Sequence, residues 1–428
     1  MITFDALVAA LGERRAASEW VATERRRLTA SVRLGPAPMH RSTDRRSLSA
    51  VVHRDTGVGR GTARFVIDGD TETAADAVQR GLVSAAAAAG PAWRLAPAAA
   101  AARVQIADPA LERGAAGDLA AAIATEVAAA ARAVGEIAVD ATEVEIVRDA
   151  VAVAASQGNV VRWRATEVTV RTQVTASGRS RDLVVSVRNR GHLELRVRLA
   201  HVRKLLEMSA RAEPTPTGTI PVTLHSKVLG AARGGVGLLE AFVAQADPAL
   251  ERQGLTRYRP GLPVAAGAAS IAEPLTLISD GTLPFGSRSA PLSEEGEPVR
   301  RFALVERGLA AGLALDGREA ALRGQAPNGG IRNLVASTGT ATDEELLAPP
   351  VLEILELTWV DLDPHTGELT ASIDLGTLHT DRARPVTGGI LRFDAIRALA
   401  LARRNGDLAQ HGAYLGPTLW RLPPVVVD

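Results

Sequence analysis

Cysteine is absent from this 428-residue chain, which excludes disulfides, thiolate nucleophiles, iron–sulfur clusters and every zinc site that needs a sulfur ligand. Lysine is almost absent: Lys204 and Lys227 are the only two, and arginine carries nearly all the positive charge. With alanine so abundant, that bias reads as genomic. Neither sign of charge is in excess, since 49 basic against 48 acidic residues leave a formal +1 with no basic tail or block, and nucleic acid is not an expected partner. No segment is long and uncharged enough to span a bilayer, and residues 1–10 lack a basic region ahead of a long apolar stretch. These absences make the cytoplasm the expected compartment, with no membrane partner.

What is present fits a globular protein, with 46% hydrophobic residues. A chain of 428 residues exceeds one typical domain and predicts two. Apolar positions at helical spacing predict an amphipathic opening helix over residues 4–27, with Arg25-Arg26-Arg27 as its solvated end. Alternating runs at 28–34, 48–53 and 62–67, broken by Gly, Pro and Asp, predict antiparallel strands. Alanine-rich helices are expected over 73–89, capped by Thr71 or Thr73, and over 118–134, stopped by Gly135. Strands follow at 143–147, 160–174 and 183–187, then an Arg- and Leu-rich helix over 193–212. The Pro-containing segment 213–219 is the expected linker. The reading is α+β: an N-terminal domain over 1–212, an antiparallel sheet with helices, and a β-rich C-terminal domain over 220–428. That second part is expected to hold a strand at 220–225, an imperfect helix over 229–244 and another over 393–404.

Several motifs invite chemistry and read better as structure. Gly57, Gly59 and Gly61 lead into a strand, so they form a sheet turn and not a dinucleotide loop. Asp361, Asp363, Thr366 and Gly367 lack the ligand spacing and terminal Glu of a calcium loop and read as a hairpin turn. Gly286-Ser287-Arg288 lacks a nucleophile-elbow context. The histidines at 40, 53, 192, 201, 225, 365, 379 and 411 are widely scattered, and a three-histidine metal site is not expected. The acidic turn Glu294-Glu295-Gly296-Glu297 resembles a carboxylate pair, but adjacent acids in a Gly/Pro turn are ordinarily solvated. If the turn is functional, Glu294, Glu295, Glu297 and Arg300 are expected to shape a groove or contact a partner.

The most distinctive stretch is 275–320, where an apolar run ends in Ser279-Asp280-Gly281. A Gly/Ser/Pro loop follows, then the acidic turn ending at Pro298, then a second apolar run and Glu306-Arg307-Gly308. In order and spacing it resembles the TldD/PmbA (TldD/TldE) family of metallopeptidase proteins. Asn328-Gly329-Gly330-Ile331-Arg332-Asn333-Leu334, the segment from Thr338 to Leu346 and Gly416-Pro417-Thr418-Leu419-Trp420 resemble further family segments. The resemblance implies a zinc helix bearing His-Glu-x-x-x-His just after the first strand of the second domain, with a third ligand from a C-terminal Cys. Here Gly234, Gly235 and Leu239 stand at the helix positions, and no Cys exists. The resemblance therefore implies a TldE (PmbA)-like member with no catalytic or metal residue and no cofactor of its own. Its expected partners are a TldD-like subunit that holds the zinc and a peptide substrate. Two other readings stay open: an enzyme with relocated chemistry in a biosynthetic pathway, and a stand-alone homodimeric peptide-binding protein.

Overall fold

The computed structural model describes residues 2–13, 18–67, 72–97, 100–158, 160–230, 237–363 and 365–428. Its first half is one antiparallel sheet of seven strands with helices on it. The elements are α1 (Phe4–Gly12), β1 (Ser18–Leu34), β2 (Met39–Thr56), β3 (Gly59–Ile67), α2 (Ala74–Ala87), β4 (Ala89–Gly90), α3 (Pro109–Glu112), α4 (Ala116–Val134), β5 (Ala138–Ala155), β6 (Val160–Ala176), β7 (Arg179–Val187) and α5 (Leu195–Ala210). The strand order is β4-β3-β2-β1-β5-β6-β7.

The opening helix is a correction. It stops at Gly12, and the residues from Ser18 onward are strand, so Arg25-Arg26-Arg27 lie in the middle of β1. Pairing on both sides overrides the helical spacing: β1 runs against β2 and β5. Arg26 reaches Asp44 at 2.6 Å on one neighbour, and Arg27 reaches Asp149 at 2.7 Å on the other. The remaining N-terminal strands and the helix over 118–134 fall inside longer elements, the helices over 73–89 and 193–212 shorten to α2 and α5, and the turn between β2 and β3 is made by Gly57 and Val58, with Gly59 and Gly61 already in β3.

Strands of 17 and 18 residues are unusual, at roughly 55 Å each. Two separate helical packs cover one face of them. Trp20 and Ala22 of β1 and Ala152 and Ala154 of β5 meet α1 and α2 at one end; Ala30, Val32, Val144 and Ile146, of the same parity, meet α4 and α5 at the other. Between the packs lies an open groove floored by the Arg26–Asp44 and Arg46–Glu24 pairs. The opposite face, through Val21, Val151 and Val153, packs on Trp93, Leu95 and Leu292.

Helix α2 begins where Thr73 accepts the Asp76 N–H at 3.2 Å; Thr71 lies outside the described residues. Thr73→Ala removes this cap and should cost about 1 kcal/mol, read as a lower urea midpoint. An unchanged midpoint would show the cap to be idle.

The second half is β-rich. Its strands are β8 (Glu213–Pro214), β9 (Gly218–Ile220), β10 (Val222–His225), β11 (Leu277–Asp280), β12 (Arg301–Glu306), β13 (Leu309–Ala310), β14 (Asn333–Ala336), β15 (Val351–Leu362), β16 (Glu368–His379), β17 (Ala383–Thr387), β18 (Ile390–Asp394), β19 (Arg403–Arg404), β20 (Leu408–His411), β21 (Tyr414–Pro417), β22 (Leu419–Arg421) and β23 (Val425–Val427). One sheet runs β19-β22-β10-β15-β16-β18-β23-β9, with β17 and β8 beside β16; the other runs β13-β12-β11-β14-β21-β20. One core, including Leu224, Leu277, Ile354 and Trp420, joins them. The segment 213–219 contributes β8 and part of β9 to this sheet.

Two helices expected here are shorter. Residues 393–404 form only the helix Ala395–Ala400, because Phe393 and Asp394 pair in β18 and Arg403 and Arg404 in β19. In place of 229–244, the described residues hold α6 (Ser226–Leu229), a 3-10 turn over Gly237–Leu239 and α7 (Glu240–Gln245). The helix is interrupted at Gly230, which is extended, and at Gly237, whose φ of 55° lies in the left-handed region. The hairpin between β15 and β16 turns at Asp363, which accepts the His365 and Thr366 N–H groups; Pro364 lies outside the described residues. No helix among the described residues is long and apolar enough to cross a membrane.

Candidate functional site

The distinctive stretch 275–320 fastens the second half to the first. After β11, Ser279 accepts the Arg332 N–H at 2.8 Å, and Asp280 accepts the Thr282 N–H and hydroxyl. Asn333, wholly buried, donates to the Asp280 carbonyl and the Ser289 hydroxyl and accepts from the Arg288 N–H. The Gly/Ser/Pro loop is thereby held rigid from beneath. From the other half, Arg188 donates to the carbonyls of Ser287 and Ser289, and Phe285 donates its N–H to Gln105 at 2.7 Å.

The acidic turn is only partly solvated. Ser293 accepts the N–H groups of Glu295 and Glu297, closing a tight loop whose Gly296 rests on Val21 and Val153 of the sheet. Glu294 is exposed and pairs loosely with Arg64 at 3.2 Å, and Arg300 is exposed. Glu297, however, is only 5% exposed and has Oε1 without a partner. A Cβ on Gly317 would lie 2.2 Å from that oxygen, so any larger residue there would displace the carboxyl. Burial, then Glu295 and Asp316, push the Glu297 carboxyl up to about 8. Glu295 is pushed up too, chiefly by burial. Both line a small apolar cavity with Leu95, Val153 and Leu292. The solvated reading thus holds for Glu294 and fails for Glu297, because the long sheet removes water from one side of the turn.

At the expected zinc helix, Gly234 and Gly235 lie outside the described residues. Leu239 is wholly buried in the joint core beside Leu238 and Phe242. An apolar side chain packed in a core does not fit a zinc ligand, and no group of three His, Cys, Asp or Glu among the described residues is arranged to hold a metal ion.

Around α6 the structure gathers residues that sequence reasoning left apart. His225 ends β10, His201 projects from α5 and His411 ends β20; the rings of His201 and His225 lie 6.5 Å apart. Burial and neighbouring positive charge push His201 down to about 4 and His411 to about 3, and burial lowers His225. His411 Nε2 meets the Ser226 hydroxyl at 3.1 Å. Ser226 is wholly buried, so this pair has no approach for a substrate and acts as a structural bond. Lys227 completes the group, and burial, then Arg198 and Arg181, lower it to about 8. These histidines stand up to 210 positions apart in sequence. The one available signal was lysine itself, since both lysines belong to this neighbourhood.

Other distinctive segments have structural tasks. Asn328 accepts the N–H groups of Leu315 and Gly330, and Thr342 forms a capping box with Glu345.

Residues 225–396 match the model of the PmbA/TldA metallopeptidase C-terminal domain. The fold matches TldE from Thermococcus kodakarensis at 14% identity and a TM-score of 0.78, covering 99% of this chain and all of that one (100%). A Thermotoga maritima protein described as a candidate modulator of a DNA gyrase matches at 15% identity and a TM-score of 0.80, covering 100% of both chains. A Bacteroides thetaiotaomicron protein of like description matches at 15% and 0.76 over 100% of both.

Proposed function

Since the chain belongs to the TldD/PmbA family through its C-terminal domain, we propose that it is the metal-free subunit of a two-component zinc peptidase. The partner supplies the His-Glu-x-x-x-His helix and the zinc, and this chain encloses the site and holds an extended peptide. Backbone pairing along a sheet edge would give that grip with little sequence selectivity.

The observation that carries the reading is Leu239. By the family resemblance it stands where the second zinc-binding histidine is expected, and it is buried in the core at the end of a 3-10 turn. The absence of cysteine supports it independently. In the His201, His225 and His411 group, the hydroxyl beside the imidazoles, that of Ser226, is enclosed, which disfavours nucleophilic chemistry there.

The test is co-expression with a homologue carrying His-Glu-x-x-x-His, followed by co-purification, metal analysis and a peptide-cleavage assay. Zinc and cleavage are expected only with the partner. Stoichiometric zinc or peptidase activity in the isolated chain would overturn the reading.

A further inference from the structure

Arginine serves almost everywhere that this chain needs a cation, and the two lysines are exceptions drawn to one place. Lys204 lies on α5 and acts electrostatically on His201 and His225; Lys227 lies on α6, directly after His225. An ammonium is a compact point charge with three rotatable donors.

Lys227 is half-buried, and its ammonium meets no carboxylate among the described residues. The nearby acids are engaged elsewhere. Glu356 and Asp374 pair with Arg181, Glu353 with His379 at 3.1 Å, and Asp343 accepts from Asn405 at 2.8 Å. Glu194 lies 3.9 Å from Arg198. A partly desolvated cation with further cations around it and no counter-ion is costly, and an anion placed there would relieve it.

The imidazoles add donors. His225 Nδ1 accepts the Lys227 N–H at 3.5 Å, which leaves the Nε2 hydrogen free to donate. His201 faces it from α5, so the group draws on both halves of the chain. It also directly precedes the residues standing at the zinc-motif positions.

We propose that Lys227, with His201 and His225 beside it, forms a receptor for the terminal carboxylate of a peptide. The proposal rests on the peptide-handling reading above and gives that reading a polarity: the carboxyl end of the ligand is held where the two halves meet.

Lysine scarcity makes the test direct. Protein carrying 13C at lysine Cε should give two NMR signals, assigned by Lys204→Arg and Lys227→Met. N-acetyl-trialanine with a free carboxylate should shift the Lys227 signal and leave Lys204 nearly still; its C-terminal amide should bind at least tenfold more weakly. Lys227→Met should abolish the difference in affinity, read from backbone amide shifts. Should that variant fold poorly, Lys227→Gln replaces it, with the same loss expected because the charge is gone. Equal binding of acid and amide, no binding of either, or a Lys227 response to inorganic phosphate and not to the free acid would each overturn the proposal. The isolated full chain suffices, so failure here leaves the two-component reading standing, and failure of co-purification leaves the carboxylate receptor standing.

Discussion

Glu297→Gln should stabilise the protein at pH 8.5 by about 5 kcal/mol relative to the parent chain and make no comparable difference at pH 4.5. The carboxyl is pushed from 4.5 up to about 8 by burial first, then by Glu295 and Asp316, with Ser293 and Arg332 pulling weakly the other way. A folded-state value above the unfolded one means that the folded chain holds the proton more tightly. Stability from this group is therefore complete below about pH 4.5 and is lost progressively up to about pH 8, above which both states are ionised. That interval, at about 1.4 kcal/mol per pH unit, gives the magnitude. Glutamine keeps the shape and cannot ionise. Urea denaturation across pH 4.5 to 9 measures the difference, and parallel curves for the two proteins would refute the buried-acid account.

Arg404→Met should cost about 3 to 5 kcal/mol. Arg404 is 1% exposed, yet no carboxylate among the described residues pairs with it. Its guanidinium donates to the carbonyls of Ser337, Ala402 and Glu273 at 3.1, 3.1 and 2.8 Å and lies over Trp420 at 5.4 Å. Methionine fills much of the space but leaves three acceptors without donors, and each lost partner carries a desolvation penalty. Exposed pairs give the contrast: Arg26→Met breaks the solvated contact with Asp44 and should leave the urea midpoint nearly unchanged. Comparable urea midpoints for the two variants would show that Arg404 is not a structural hub.

Much of the fold was legible in the sequence because local pattern and long-range pairing agree there. Thr73 caps α2, Gly135 ends α4, and the turn at Gly57 and Val58 leads into β3. The readings fail where distant pairing decides. Arg25-Arg26-Arg27 carry a helical-looking charge run, yet partners on β2 and β5 draw them into strand. The helix over 229–244 satisfies apolar spacing, but Gly237 takes a left-handed conformation that stops it. In the candidate site, Gly234, Gly235 and Leu239 were read as carrying no zinc-binding group, and the structure adds that Leu239 is buried. The burial of Glu297 was not, because Val21 and Val153, which close over its turn, lie far away in the chain. The meeting of His201, His225 and His411 was hidden for the same reason.

The two helical packs on the N-terminal sheet share their strands. Each of β1 and β5 begins in one pack and ends in the other, with no turn between where the chain could be cut. Deleting either pack would leave half of each strand hydrogen-bonded but with its apolar face bare, a surface that favours self-association. Fragments of this half are therefore expected to aggregate, and shortening the protein by evolution or by design must take the two packs together.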